Sequence, residues 1–343
     1  MSEIKTTSRN YMFDNIKAIM LFLVAFGHIL DVYMGNQGFE YNLMKYIYLF
    51  HMPVFAFVTG YFSKNTEKSR NTAVEKCLMP YLVLQGIYVV VANVLIKLGL
   101  ANFNSSIFNS SILLPSSAFY YLLAVFFWKM FSSDFLKLRY PIAISVILGL
   151  LVSVTNQSEF HKGLGAVFTL LCFFVMGVKC DQNIIAKIRK IPKIFGVLVM
   201  LLGILPAVYL PYAIHSIRLT YADAEFGILE GMGYRLAFYA IATVMGAAVI
   251  NLAPQKKSIL SYVGSSSILV YAGSTFLAPH AYILVANALN LTQNRWINLI
   301  GMVLFCVAIM AVCSVPIFLK WFNAVTGFIY KIIFKSKSER GEG

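Results

Sequence analysis

The sequence predicts an all-α protein, a polytopic integral membrane bundle of about ten transmembrane helices. Three observations support this fold class. Hydrophobic residues make up 59% of the 343 residues and charged residues only 12%, whereas a soluble chain of this length needs more charge to cover its surface. Apolar runs of about 20 residues, the length that spans a bilayer as a helix, recur along the whole chain. Lysine and arginine concentrate in alternate loops, as positive-inside topology requires.

No Pro-rich or Gly/Ser-rich linker separates the apolar runs, so we expect a single transmembrane domain over residues 1–343. A short N-terminus (1–13) precedes the first span, and a basic tail (321–343) follows the last. The first run is expected to be a span and not a signal peptide, because no small-residue cleavage site follows it. The expected spans are 14–34, 42–62, 78–99, 113–131, 140–156, 163–180, 194–212, 232–253, 262–288 and 296–320.

The distribution of basic residues predicts the orientation. Of the 28 lysine and arginine residues, 22 fall in the N-terminal region, in every second loop and in the tail. These regions are predicted to be cytoplasmic, which places both termini in the cytoplasm and the chain in a cell membrane. The same distribution accounts for the net charge of +14 without a nucleic-acid partner, and we expect the tail to lie on anionic lipids. The six basic residues outside these regions are Lys45, Lys97, Lys162, Arg218, Arg235 and Arg295.

The first span, FDNIKAIMLFLVAFGHI, contains ionisable residues that are costly in hydrocarbon. Lys17 and His28 are separated by three helical turns plus about 20°, so their side chains share one face. Asp14 and Asp31 extend that face at its two ends. The rise from Lys17 to His28 is roughly 16 Å, which puts His28 at or beyond the bilayer midplane. We expect this face to turn inward and to outline a polar path, although a snorkelling lysine, a helix cap and a hydrogen-bonded histidine are the structural alternatives.

The second span, containing YLFHMPVFAFVTGYF, has a histidine near its middle. Pro53 interrupts the helical hydrogen bonds beside His51. A short loop joins the first two spans, so we expect them to be antiparallel neighbours with His28 and His51 at comparable depth. Two imidazoles in a dry cavity suit proton transfer near neutral pH.

Motifs in these two spans resemble the membrane-bound acyltransferase-3 family, and in particular its fucose 4-O-acetylase-like and polysaccharide O-acyltransferase branch. The motifs are Arg9-x4-Asp14-x2-Lys17, Gly27-His28, Phe50-His51-Met52-Pro53-x-Phe55 and Gly60-Tyr61-Phe62. Relatives often have a histidine three residues after a tyrosine in the ninth span. Here Ser274 occupies that position after Tyr271, so no role of that histidine can be transferred.

The resemblance implies transfer of an acyl group, expected to be acetyl, from cytoplasmic acyl-CoA to a hydroxyl of a glycan. The glycan would be a bacterial exopolysaccharide, a capsule or another cell-surface or lipid-linked sugar. His28 is the candidate general base or covalent acyl carrier. His51 would orient it or assist as an acid or hydrogen-bond donor, and Asp14 would pair with Arg9 or Lys17 and fix the cation that faces CoA. The candidate CoA-binding cations are Arg9, Lys17, Lys68 and Arg70. Tyr121 and Ser274 are candidates to bind the acceptor or stabilise an oxyanion, and no metal is expected.

A membrane exporter or flippase of a polysaccharide or lipid-linked intermediate is the alternative function. Such transporters tend to have internal repeats and broken helices in paired positions. The sequence has a proline-interrupted second span without a clear counterpart in its second half, which favours the enzyme. The outer loop 213–231 is rich in carboxylates and aromatic residues and is a candidate to line a carbohydrate site.

Overall fold

A computed structural model describes residues 10–33, 38–97, 115–157, 161–211, 217 and 219–334, and this part of the chain is helical throughout, without strands. Short π-helical turns lie at Val74–Leu78, His161–Gly165 and Gly273–Leu277. The α-helices, numbered in chain order, are α1 (Tyr11–Tyr33), α2 (Phe39–Tyr48), α3 (His51–Tyr61), α4 (Thr66–Asn71), α5 (Met79–Lys97), α6 (Tyr120–Phe135), α7 (Pro141–Leu151), α8 (Ala166–Thr169), α9 (Leu171–Lys179), α10 (Gln182–Lys190), α11 (Lys193–Leu202), α12 (Ile204–Tyr209), α13 (Ile228–Leu252), α14 (Ile259–Ser265), α15 (Ser267–Ala272), α16 (Ala278–Ala288), α17 (Arg295–Cys313) and α18 (Pro316–Ile333).

The described residues include five helical segments that are long and apolar enough to cross a membrane, or up to seven if each of two bent helix pairs is one span. The chain is therefore a multi-pass membrane protein by length and composition. Each of the ten expected spans contains helix, but the number of crossings and the cytoplasmic position of both termini stay predictions. The five segments are Tyr11–Val32, Phe39–Tyr61, Val74–Val94, Ile228–Leu252 and Arg295–Cys313.

Helix α1 lies at the centre of the bundle. It packs against α2, α3, α14, α15, α16 and α17 and against the π-helical turn Gly273–Leu277. Phe13 and Ile16 near its start and Ile29 and Leu30 near its end are fully buried. A helix that is apolar on nearly every side is typical of such a buried position. The neighbouring helices therefore hold α1, and the candidate site residues that it carries, in place along its whole length.

The second expected span is interrupted where the proline predicts. Helix α2 ends at Tyr48, Leu49 and Phe50 form a turn, and α3 begins at His51. Pro53 has no N–H group to donate to the carbonyl of Leu49, so the helical hydrogen-bond ladder cannot continue through this point. The interruption places His51 in the first turn of α3.

Helices α3 and α9 cross in backbone contact through two glycines. A β-carbon on Gly60 would overlap the carbonyl oxygen of Phe174, and one on Gly177 would overlap the carbonyl oxygen of Phe57. The two sequences, FVTG and FVMG, thus supply the same pattern to both sides of the crossing. Small residues allow this approach, which replaces the hydrophobic effect as a source of helix association inside a membrane.

The last expected span ends earlier than its hydropathy suggests. Helix α17 ends at Cys313, and Pro316 opens α18, which extends to Ile333 and packs on α5. Proline is favourable in the first turn of a helix because its missing N–H is not needed there. Much of the segment assigned to the basic tail is therefore helical.

We predict that Gly60→Ala or Gly177→Ala lowers the stability of the bundle by about 1–3 kcal/mol, because the added methyl group must push two backbones apart. The thermal unfolding midpoint in detergent measures this loss. Gly86→Ala is the matched control, since Gly86 lies in α5 with open space around it. A loss no larger than that of the control would contradict the tight crossing.

Candidate active site

Asp14 and Lys17 form an ion pair near the start of α1. We call the end of the bundle where the start of α1 meets the end of α3 the basic end. The Lys17 Nζ atom lies 2.7 Å from Asp14 Oδ1, and the two side chains are 23% and 9% exposed. The Lys17 ammonium also lies 5.6 Å from the centroid of the Phe62 ring. An acidic residue in the first turn is stabilised by the helix dipole. Of the two cations expected to pair with Asp14, Lys17 does so, whereas Arg9 lies outside the described residues.

The face that runs from Lys17 toward His28 points into the bundle. Helix α1 is continuous over this interval, so the rise of roughly 16 Å between the two residues holds. Leu21 and Val24 on the same face are each only 1% exposed. They fill the interval with apolar packing, and the ionisable groups lie at its two ends. His28 itself is half-buried and Asp31 is exposed.

The imidazole of His51 is buried and held in one orientation. Its Nδ1 atom lies 2.9 Å from the carbonyl oxygen of Ile47. Because a carbonyl oxygen can only accept, Nδ1 donates the hydrogen bond, and in the neutral ring Nε2 carries the lone pair. The Tyr48 ring packs against this imidazole with its centroid 5.1 Å away. The helix interruption thus presents Nε2 of His51 as the atom that can accept a proton or a hydrogen bond.

The segments that carry the two histidines pack against each other. A β-carbon on Gly27, the residue before His28, would lie 2.9 Å from the Tyr48 ring. The glycine therefore lets α1 approach the same tyrosine that contacts His51. Joint action of the two imidazoles stays a prediction.

Tyr121 and Ser274 are both buried, and their hydroxyl groups are hydrogen-bonded within the bundle. The Tyr121 hydroxyl lies 2.8 Å from Thr59 Oγ1, and Ser274 Oγ donates to the Val270 carbonyl at 2.6 Å. Thr59 is two turns of α3 beyond His51, roughly 12 Å along the axis. Tyr121 therefore lies nearer the basic end than His51 does. The oxyanion or acceptor role of these two residues stays a prediction.

The remaining cations lie on or near α4. Lys68 is exposed, and the Arg70 guanidinium contacts Asp134 Oδ2 at 3.4 Å on α6. Lys137 donates to the same carboxylate at 2.8 Å and holds the pKa of Asp134 below its usual value. Exposed ion pairs of this kind contribute little stability, so these cations can exchange partners with an anionic ligand. In the structure, Arg70 contacts Asp134, and Lys17 contacts Asp14 and the Phe62 ring.

Asn15 is a site-supporting residue that sequence reasoning missed. Its side chain is fully buried. Its amide nitrogen donates to the carbonyls of Pro254 and Lys256 at 2.9 and 3.0 Å, and its oxygen accepts from Ser258 and Ser261 at 2.8 and 2.7 Å. Every hydrogen-bonding position of the amide is thereby used. The available signal was an amide next to Asp14 in an apolar helix.

The described structure contains two apolar cavities, with volumes of about 590 and 220 Å³. Neither is lined by Lys17, His28 or His51, and their walls suit hydrocarbon and not phosphate or sugar. Among the described residues, no group of three His, Cys, Asp or Glu side chains could hold a metal ion. The larger cavity lies among α6, α7, α8 and α9, and the smaller among α3, α9, α10 and α13.

The chain matches a known protein family over most of its length. The profile of the acyltransferase-3 family, described as an acyltransferase domain, matches residues 10–318. The chain belongs to the acyltransferase-3 family. The resemblance seen in the first two spans is thus confirmed over most of the chain, and membership supports an acyltransferase activity.

Two curated relatives share a short stretch with this chain. Nodulation protein NolL of Mesorhizobium japonicum is 41% identical over 61 residues, which cover 17% of this chain and 16% of the relative. Nodulation protein NolL of Sinorhizobium fredii is 37% identical over 62 residues, 17% of each chain. The matched stretch is therefore about a sixth of either relative. No solved structure matches the chain significantly.

We predict that His51→Asn is more stable than His51→Ala, because the asparagine amide can replace Nδ1 as donor to Ile47. The difference is expected to be about 1 kcal/mol, the usual net value of one hydrogen bond. Thermal unfolding of the purified variants in detergent measures it. If both variants unfold at the same temperature, Nδ1 does not hold the ring as described.

Proposed function

We propose that this protein is an integral membrane O-acyltransferase of a bacterial cell membrane, which transfers an acyl group from cytoplasmic acyl-CoA to a hydroxyl of a cell-surface or lipid-linked glycan. Acetyl is the proposed acyl group. The observation that carries the proposal is the geometry of α1 in a chain of this family. One continuous helix carries Lys17 at the basic end and His28 toward its other end, and Gly27, next to His28, packs against the Tyr48 ring that contacts His51.

The basic end supports binding of the donor. CoA carries several phosphates, which form strong hydrogen bonds with lysine and arginine side chains. Lys17, Lys68 and Arg70 lie in the described structure as candidates, with Arg9 as a further candidate on the sequence. The pantetheine arm of CoA is long and thin, but Leu21 and Val24 fill the interval between Lys17 and His28. The proposal therefore requires these side chains to move when the thioester enters the bundle from this end.

His28 acts in this proposal on the acceptor hydroxyl. Its imidazole removes the hydroxyl proton, the alkoxide oxygen attacks the thioester carbonyl carbon, and the carbon–sulfur bond breaks. The CoA thiolate leaves and recovers the proton from the imidazolium. In the covalent variant, the imidazole nitrogen attacks the thioester carbonyl carbon and CoA leaves as a thiolate. The hydroxyl oxygen then attacks the acyl-imidazole, the carbon–nitrogen bond breaks, and the hydroxyl proton passes to the CoA thiolate. His51 contributes Nε2 as a hydrogen-bonding partner that orients the reacting groups.

The glycan acceptor is supported by the family branch that the motifs resemble and by the outer loop. In the described part of that loop, Asp223, Glu225 and Glu230 are exposed and offer carboxylates of the kind that bind sugar hydroxyls, whereas Tyr221 is buried and its hydroxyl donates to the Leu150 carbonyl. The names of the two relatives refer to nodulation and do not state an acceptor.

An exporter remains the second candidate, because the structure contains more interrupted spans than the sequence suggests. Ser267–Thr275 and Ala278–Ala288 form a bent pair at 53° in the second half of the chain. The second half of the chain therefore also contains a bent helix pair, so broken helices alone do not separate the two functions. Loss of an exporter lowers the amount of surface glycan, whereas loss of the enzyme lowers its ester content.

We predict that His28→Ala reduces acyl transfer at least 100-fold, the usual minimum contribution of a general base, while the protein still inserts and folds. Mass spectrometry of the surface glycans measures ester content, and labelled acetyl-CoA and succinyl-CoA report CoA release and label on the protein. His280→Ala is the matched control, since His280 is also a half-buried histidine in a helix. Unchanged ester content in the His28 variant would contradict the enzyme.

We predict that Lys17→Met weakens acyl-CoA binding and also lowers stability by about 1–3 kcal/mol, because it removes the ion-pair partner of the buried Asp14 carboxylate. The double variant Asp14→Asn, Lys17→Met restores stability without restoring binding. Thermal unfolding and the KM for acyl-CoA separate the two effects. Normal acyl-CoA affinity in the double variant would show that Lys17 has only a structural role.

A further inference from the structure

Phe62 is an exposed aromatic ring at the basic end of the bundle. It directly follows α3, and it is 55% exposed, although most of the side chains in α3 are buried. An aromatic ring left open beside a lysine combines the two features that a nucleotide needs, a flat apolar face and a positive charge.

The ring of Phe62 is held by its neighbours. The fully buried Phe13 ring contacts it edge-on at 5.4 Å and 77°, and the Tyr61 ring does so at 5.7 Å and 86°. The Lys17 ammonium lies 5.6 Å from its centroid. These contacts fix the plane of the ring, so a flat ligand would bind to a surface that is already ordered.

A second cation lies in the same patch. The Lys64 Nζ atom is 3.8 Å from the centroid of the Tyr61 ring, one residue from Phe62 along the chain. Lys17 and Lys64 therefore surround a pair of adjacent rings. Phosphates attached to a base stacked on Phe62 would lie near both ammonium groups, with Lys17 shared between the phosphate and its ion-pair partner Asp14.

We propose that Phe62 stacks against the adenine base of the acyl-CoA donor, with Lys17 and Lys64 binding its phosphates. This inference rests on the proposed function and assigns a specificity residue to its donor site. Stacking of a base on an aromatic side chain is worth about 1–3 kcal/mol, so the ring would select the nucleotide end of CoA over a donor that lacks it.

An interfacial anchor is the competing role for Phe62, because aromatic residues are common at the membrane–water boundary. An anchor affects insertion and stability but has no effect on which donor binds. The two roles therefore differ in whether a substitution changes the affinity for adenine-containing ligands relative to a ligand without adenine.

The experiment uses the full chain purified in detergent, with three probes: CoA, adenosine 3′,5′-bisphosphate and S-acetyl pantetheine, which lacks the nucleotide. Phe62→Leu is expected to weaken binding of the first two about 5- to 150-fold, the equivalent of 1–3 kcal/mol, and to leave the third unchanged. Phe62→Trp is expected to keep normal binding. Phe131→Leu is the matched control, since Phe131 is 60% exposed on α6.

The outcomes separate this inference from the proposed function. If the unaltered protein binds CoA and Phe62→Leu binds it equally well, stacking is overturned and the donor stands. If the unaltered protein does not bind CoA, the proposed donor falls and the stacking role with it. Should Phe62→Leu fail to fold, fluorescence of Phe62→Trp decides: quenching by adenosine 3′,5′-bisphosphate that Phe131→Trp does not show supports stacking, and its absence overturns it.

Discussion

The assembly of this bundle depends on the cost of burying polar groups in the first turns of α1. A carboxylate, an amide and an ammonium group occur there within four residues, as Asp14, Asn15 and Lys17. None of them can be left unsatisfied in an apolar interior without a penalty of about 1–3 kcal/mol or more. Lys17 pairs with Asp14, and Asn15 binds the segment that leads into α14. The polar start of α1 thereby dictates which part of the chain lies next to it.

The same constraint connects the basic end to the histidines. Because α14 is hydrogen-bonded to Asn15 and packs its Gly264 against the backbone of Asp14, α1 cannot slide along its axis relative to the second half of the chain. Its C-terminal half packs Ile29 and Leu30 against α16 and α17 in a separate apolar cluster. Because α1 is continuous and is held at both ends, the position of His28 relative to Lys17 is fixed. For a transferase that must align a donor and an acceptor, such rigidity is the property that counts.

Local features were predictable from the sequence, and distant partners were not. The expected first span, 14–34, differs from α1 by a few residues, and Pro53 marked the interruption before His51, because apolar length and proline chemistry act locally. The partners of Asn15 lie more than 230 residues away in the chain, and Thr59 meets Tyr121 across 62 residues. Hydropathy has no means of pairing such positions. Hydropathy also placed the end of the last span beyond the boundary between α17 and α18, because the segment is apolar on both sides of Pro316, where α18 begins.

The crossing of α3 and α9 has a consequence for motion. The backbones of α3 and α9 touch at Gly60 and Gly177, with no layer of side chains between them that could slide or repack. The two helices therefore move as one rigid unit. His51 belongs to this unit, whereas His28 belongs to α1. In the proposed reaction, an acceptor that reaches both imidazoles would have to separate α1 from this unit, and the Tyr48 ring, which contacts both Gly27 and His51, lies at that boundary.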